Sequence, residues 1–116
     1  MTRSDHIAFF QAGAVIVSLW DRGKLAVDGG LTDSGGWGAV TLAHCVDSPE
    51  AVEQSLRQAA AAGARITSPG RPRVWGGYSG IFTDLDGHAW EIMHNPAWVV
   101  RPDGATVLQP TRHSRP

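Results

Sequence analysis

The chain has 116 residues, of which 42% are hydrophobic and 18% are charged, with 10 basic and 11 acidic side chains. This length and balance are typical of one globular domain with a single small core. The formal net charge of -1 gives no electrostatic reason to expect nucleic acid or an acidic membrane as a partner. The longest apolar run, 12–20, is too short to span a bilayer, and no signal segment opens the chain, which predicts a soluble, cytoplasmic protein.

The first elements form a predicted β-hairpin. Two short runs rich in Phe, Val and Ile, 6–11 and 14–20, flank the turn residues Ala12 and Gly13. The following segment, 21–36, contains five glycines and loses apolar periodicity, which predicts a loop with one helical turn at 24–27.

A strand over 37–46 and then a helix are expected next. Ser48 is a suitable N-cap, Pro49 suits the first helical position, Glu50 complements the helix dipole, and Gly63 is placed to end the helix.

The remaining elements are three strands and a tail. A short strand over 64–67 is followed by Pro69, Gly70 and Pro72, which predict a loop. Strands over 78–83 and 89–94 flank an Asp- and Gly-containing turn, and the proline- and arginine-rich segment 99–116 is predicted to be a flexible tail. The order from residue 37 is therefore βαβββ, preceded by a hairpin, which is an α+β fold.

The segment 75–92, with the turn Asp84-Leu85-Asp86-Gly87 and a following strand that carries Glu91, resembles the closing hairpin of the vicinal oxygen chelate superfamily. This superfamily comprises glyoxalases, bleomycin-resistance proteins and extradiol dioxygenases. The usual turn is Asp-Pro-Asp-Gly, so Leu85 is a departure from the pattern. The hairpin 9–20 is similar to the last two strands of the family's first βαβββ module.

The resemblance covers about residues 6–98 and implies strands curled around a cavity. It divides the chain into a domain over 1–98, with a partial first module at 6–20 and a second module at 37–98, and the tail. Residues 1–5 leave no room for the opening strand, helix and second strand of the first module. Either the module is truncated or a partner covers its open edge, and because an exposed edge favours aggregation, we expect a homodimer.

The resemblance also implies four metal-ligand positions. The first falls in the missing strand, the second matches Val17, the third matches Thr41, and only Glu91 at the fourth is a strong ligand. A divalent site needs three or more protein ligands, so no metal or other cofactor is expected. Glu91 is the candidate catalytic residue, as a proton acceptor, but it could equally fix a polar ligand group or form a structural hydrogen bond.

His44 is the other candidate metal ligand. Strand side chains alternate, so if Thr41 and Ala43 face the cavity, His44 faces the helix. A register shifted by one residue would instead bring His44 into the cavity and restore the metal hypothesis.

The expected ligand-binding wall is apolar, with few polar anchors. Its residues are Val15, Val17, Leu19, Thr41, Ala43, Tyr78 and Met93, with Trp75 at the rim and Arg73 placed with Tyr78 to orient an anionic or carbonyl group. We therefore expect a small-molecule-binding protein for an apolar or aromatic ligand, in a cavity completed by dimerisation. The alternatives are a metal-dependent lyase, isomerase or dioxygenase with ligands from a partner chain, and a truncated scaffold without activity.

Overall fold

The computed structural model describes residues 2–3, 7–33 and 38–108. Their elements are β1 (Thr2–Arg3), β2 (Ile7–Ala12), β3 (Val15–Trp20), α1 (Arg22–Gly29), β4 (Thr41–Cys45), α2 (Pro49–Ala61), β5 (Arg65–Pro72), β6 (Tyr78–Thr83), β7 (Ala89–His94), β8 (Trp98–Val100) and β9 (Thr106–Leu108). The strands form three sheets, β1-β2-β3, β4-β7-β6-β5 and β8-β9, which are curled but not closed, and the predicted α+β class is confirmed. Neither helix in the described ranges is long and apolar enough to cross a membrane.

The predicted βαβββ unit consists of β4, α2, β5, β6 and β7. β4 lies parallel to β7, whereas β6 pairs antiparallel with β5 and β7. Both strands of the closing hairpin have the predicted bounds. β4 is shorter than the predicted strand over 37–46: residues 38–40 and Val46 are not part of it, and Trp37 lies outside the described residues. α2 covers one face of this sheet, where Val52, Leu56 and Ile92 form the buried core. The opposite face is not covered by α2.

α2 begins and ends as its residues predict. The Oγ of Ser48 accepts a hydrogen bond from the backbone N–H of Ala51 at 3.1 Å, and Pro49 is the first helical residue. Gly63, just after the helix, has a φ of 103°, which is a conformation that glycine adopts without side-chain strain.

Gly80 allows α2 to lie close to the sheet. A Cβ at this position would lie 2.5 Å from the Cδ1 of Leu56 and 2.9 Å from the backbone nitrogen of Gly70. Because backbone cannot move aside as a side chain can, we expect Gly80→Ala to destabilise the protein by about 2 kcal/mol in urea denaturation. Gly38→Ala is a control, since a Cβ there would meet nothing within 4 Å. Equal stability of the two variants would contradict this close packing.

The segment after β3 is more regular than predicted. Instead of a loop over 21–36 with one turn at 24–27, it contains the eight-residue helix α1. The Oδ1 of Asp21 caps this helix by accepting from the backbone N–H of Lys24 at 3.0 Å, and Gly30 ends it with a φ of 64°. The two caps outweigh the low helix propensity of the glycines in the segment.

β5 also runs further than predicted. The expected loop from Pro69 to Pro72 is wrong, because the strand continues to Pro72. Its pairing with β6 shifts register on either side of Ser68, which indicates bulges. β5 is the edge strand of its sheet, and a proline at an outer edge or a bulge removes no ladder hydrogen bond.

The hairpin of β2 and β3 is apolar on both faces. One face carries Ile7, Phe9, Gln11, Ile16, Ser18 and Trp20, and the other, called the outer face below, carries Ala8, Phe10, Ala12, Val15, Val17 and Leu19. On the outer face Phe10, Val17 and Leu19 are 37%, 45% and 63% exposed. The edge of β2 was expected to be open, but it pairs over two residues with β1.

β8 and β9 form a hairpin in the segment expected to be a loose tail. The Nε2 of Gln11 donates to the carbonyl oxygen of Thr106 at 2.9 Å, and its Oε1 accepts from the backbone N–H of Leu108 at 2.9 Å. The rings of Phe9 and Trp98 meet edge to face at a centroid distance of 5.2 Å. The structure thus differs from the predicted tail up to Leu108, and residues 109–116 lie outside the described part of the chain.

Candidate ligand-binding cleft

A cleft of about 1630 Å³ separates the β2–β3 hairpin from the face of the four-stranded sheet opposite α2. α1, the loop 73–77 and the β8–β9 hairpin also border it. Pockets for small molecules commonly enclose roughly 300–1,000 Å³. The volume of this cleft exceeds that range, so the cleft is large enough for a small ligand.

Most of the predicted ligand-binding residues border this cleft, and two do not. Those that border it, together with Glu91, are Val15, Leu19, Thr41, Ala43, Arg73, Trp75 and Met93. Val17 and Tyr78 are not among its lining residues.

Of the three β3 residues predicted to face the cavity, Val15 and Leu19 border the cleft and Val17 does not. The face towards the cleft carries Ile16, Ser18 and Trp20, whereas Val17 lies on the outer face. Val15 and Leu19 border the cleft but are 59% and 63% exposed. Because both faces of this hairpin are apolar, alternation along the strand could not distinguish inside from outside.

The register of β4 and β7 determines which side chains accompany Glu91. Thr41, Ala43 and Cys45 pair with Ala89, Glu91 and Met93, so all six side chains lie on the cleft side of the sheet. His44 pairs with Ile92 and borders a shallow groove beside α2. Because β4 is an edge strand, His44 also borders the cleft. The one-residue shift that would exchange these faces does not occur.

Glu91 is a buried carboxyl group in the wall of the cleft. Its exposed fraction is 9%. Burial, with a smaller contribution from the charge of Asp28, raises its pKa from 4.5 to about 7, while the nearby hydroxyl of Ser79 and the guanidinium of Arg73 oppose this rise. Glu91 can therefore hold or release a proton near neutral pH.

Arg73 lies near Glu91 with its side chain 5% exposed. Its Nη2 donates to the Oγ of Ser68 at 3.1 Å and to the carbonyl oxygen of Ser79 at 3.0 Å. Its Nη1 is 3.5 Å from the Oδ1 of Asp28, and its Nε has no acceptor among the described residues. We call Asp28, Arg73 and Glu91 the polar corner of the cleft.

Tyr78 does not accompany Arg73 as expected. Its hydroxyl donates to the Oε1 of Glu53 on α2 at 2.8 Å, and this hydrogen bond raises the pKa of Tyr78. Tyr78 pairs with His94 on the helix side of the sheet, so its role in the structure is to tie α2 to β6.

The loop between β5 and β6 places Trp75 at the cleft. The backbone N–H of Arg73 donates to the carbonyl oxygen of Gly77 at 2.8 Å, and that of Gly76 donates to the carbonyl oxygen of Arg73 at 3.0 Å. The indole of Trp75 lies against Gly77, where any Cβ would overlap the ring. Trp75 is therefore held at the rim while it remains 39% exposed.

The β8–β9 hairpin contributes a wall that the sequence interpretation missed. Trp98, Val100 and Thr106 border the cleft, and the backbone N–H of Thr106 donates to the carbonyl oxygen of Ala14 at 2.9 Å. The apolar run 98–100 and the following Asp103-Gly104 pair were the available signals of a hairpin.

The expected metal-ligand positions do not suit a divalent cation. Val17 has no donor atom, and the hydroxyl of Thr41 is buried without a hydrogen-bond partner in the described part of the chain. Glu91 lies near the guanidinium of Arg73, whose charge opposes that of a metal ion. Over residues 2–3, 7–33 and 38–108, no three His, Cys, Asp or Glu side chains are grouped as a metal site requires.

Several solved structures are similar to this chain. A glyoxalase-related enzyme from Fulvimarina pelagi is 30% identical, with a TM-score of 0.62 over 94% of this chain and 78% of that one. The NAD-dependent benzaldehyde dehydrogenase from Legionella pneumophila is 21% identical, with a TM-score of 0.62 over 81% of this chain and 75% of that one. At that identity the second likeness concerns the fold alone. No curated protein matches the chain.

The family comparison agrees with the fold. The family model of the Glyoxalase/Bleomycin resistance protein/Dioxygenase superfamily matches residues 2–92. The match extends from β1 into β7 and includes the closing hairpin whose turn and glutamate first indicated the family. The predicted resemblance is confirmed, and the chain belongs to the Glyoxalase/Bleomycin resistance protein/Dioxygenase superfamily.

Proposed function

We propose that the protein binds a flat, apolar small molecule in its cleft, as a small-molecule-binding member of the glyoxalase and bleomycin-resistance type. The observation that carries this proposal is the composition of the cleft walls. Phe9, Ile16 and Trp20 line one side, Met93 lines the other, and Trp98 lies at the end formed by β8. Aromatic and aliphatic walls favour an apolar body through burial and stacking.

The polar corner is the part of the cleft where a polar group of the ligand would bind. Arg73 and Glu91 are buried charged or ionisable side chains on this wall, whereas most of the cleft surface is apolar. A ligand with one polar end and an apolar remainder therefore fits the cleft better than a sugar or a nucleotide, which would need polar partners along its whole length.

Binding is tested with the fluorescent probe N-phenylnaphthylamine, a neutral aromatic molecule that becomes bright in apolar surroundings. Ala43 pairs with Glu91 and borders the cleft, so the indole of Ala43→Trp should occupy ligand space. We expect the variant to bind the probe at least about tenfold more weakly than the wild type, a loss of about 1.4 kcal/mol.

Ala60→Trp is the matched control, because Ala60 is exposed on α2 and does not line the cleft. It should bind the probe as the wild type does, and circular dichroism should report folded protein for both variants. Absence of probe binding in the wild type, or equal binding by Ala43→Trp, would contradict the proposed cleft.

We further propose that the functional form is a homodimer in which the outer face is covered by a second copy. The support is the continuous apolar surface of six residues on β2 and β3, where Phe10 and Val17 are directly opposite each other. Exposed apolar patches of this kind mark association surfaces. A two-fold dimer would bring the same patch from each protomer into contact.

A further inference from the structure

We infer that the ligand carries an oxygen acceptor, preferably a carboxylate, which hydrogen-bonds to the guanidinium of Arg73 in the polar corner. This inference rests on the proposed function and names the chemical class of the ligand. Its support is the incomplete pairing of a guanidinium that is almost fully buried.

The protein satisfies Arg73 less completely than a buried guanidinium requires. A guanidinium has five N–H donors and no acceptor. Two acceptors, the Oγ of Ser68 and the carbonyl oxygen of Ser79, are used by Nη2, whereas Nε is without an acceptor among the described residues. Because a guanidinium only donates, any further partner of Arg73 would be an atom that accepts hydrogen bonds.

Asp28 is a weak counterion for Arg73. The distance from the Nη1 of Arg73 to the Oδ1 of Asp28 is 3.5 Å. The exposed Arg22 has a closer carboxylate, since its Nε and Nη2 donate to the two oxygens of Asp33 at 2.8 and 2.9 Å. A ligand carboxylate at the Nη1 of Arg73 could form a shorter charge-assisted hydrogen bond than Asp28 does.

A ligand carboxylate bound to Arg73 would also lie next to apolar side chains. Arg73 precedes Val74 and Trp75 in the loop that borders the cleft, and Met93 lies on the adjacent sheet face. A carboxylate bound at Arg73 would therefore leave an attached aromatic body within reach of Trp75 and Met93. An aromatic or aliphatic carboxylic acid is the ligand class that satisfies both requirements.

The test uses three competitors that displace N-phenylnaphthylamine at one fixed pH near neutrality: naphthoate, acetylnaphthalene and isopropylnaphthalene. They share an aromatic body and differ in an anionic acceptor, a neutral acceptor and no acceptor. We expect naphthoate to bind about tenfold more tightly than isopropylnaphthalene, with acetylnaphthalene between them, because a hydrogen bond to a charged group is stronger than one to a neutral group. In Arg73→Met the three affinities should converge, while isopropylnaphthalene binds as before.

Arg57→Met is the control, since Arg57 is exposed on α2 and remote from the cleft lining. Asp28→Asn provides a second variant should Arg73→Met fail to fold. Removing the competing carboxylate should tighten naphthoate binding about threefold and leave isopropylnaphthalene unaffected.

The possible failures are distinguishable. Equal displacement by all three competitors in the wild type, or a preference for naphthoate that persists in Arg73→Met, would overturn the role of Arg73 and leave the cleft as an apolar binding site. Unchanged naphthoate affinity in Asp28→Asn would also count against that role. No binding of N-phenylnaphthylamine at all would overturn the proposed function and this inference with it.

Discussion

Glu91→Gln is expected to make the folded protein more stable than the wild type by about 3 kcal/mol at about pH 8, because the variant no longer has to bury a carboxylate. Glutamine has nearly the same shape and remains uncharged, so the packing of β7 against β4 and β6 should be retained. The effect should disappear below about pH 4.5, where the wild-type carboxyl is protonated in both folded and unfolded states.

The direction follows from the raised pKa of Glu91. Between 4.5, the ordinary pKa, and about 7, the pKa in the folded protein, the folded state binds the proton and the unfolded state releases it. The contribution of Glu91 to wild-type stability is thus fully present below about pH 4.5, declines as the pH rises to about 7, and is absent above that value.

Urea denaturation of the wild type and Glu91→Gln across this pH range measures the difference in unfolding free energy. Glu50→Gln, on the exposed first turn of α2, is the control and should show no gain in stability over the wild type at about pH 8. A difference between wild type and Glu91→Gln that is independent of pH would show that Glu91 is not buried as an ionisable group.

Val17→Asp is expected to prevent formation of the proposed homodimer. Val17 lies at the centre of the outer face, opposite Phe10, and a two-fold contact would bury the new carboxylate of both protomers without a partner. A buried unpaired charge is costly enough to weaken association by about 100-fold or more. Analytical ultracentrifugation over a range of concentrations would measure the dissociation constant.

Leu85→Asp is the matched control for this substitution. Leu85 is 81% exposed in the turn between β6 and β7, outside the outer face, so its variant should remain dimeric. A monomeric wild type, or a Val17→Asp variant that dimerises as strongly as the wild type, would contradict association through β2 and β3.

Elements specified by local signals could be predicted from the sequence. α2 follows from Ser48, Pro49 and Gly63, whose capping geometry depends on a few neighbouring residues. The closing hairpin follows from its Asp- and Gly-containing turn, where the Oδ1 of Asp84 accepts from the backbone N–H groups of Asp86 and His88. Such interactions occur within a few positions along the chain and are therefore visible as patterns.

Features that depend on distant contacts could not be predicted in this way. The β8–β9 hairpin is held by Gln11, whose partners are 95 and 97 positions away. The three residues of the polar corner come from α1, from the loop that follows β5, and from β7. The residues near Arg73 in the sequence therefore do not indicate that Asp28 and Glu91 lie close to it. Val17 was expected at the cavity but lies on the outer face. It is as apolar as its neighbour Ile16, and only tertiary packing distinguishes the two.

The most direct test of ligand binding between the sheets is the measurement of intermolecular nuclear Overhauser effects between bound N-phenylnaphthylamine and the protein's methyl groups. The cleft predicts contacts to Ile16 and Met93, on opposite walls, and none to Val52 in the core beneath α2. Contacts to Val17 and Phe10 alone would place the probe on the outer face and contradict a binding site in the cleft.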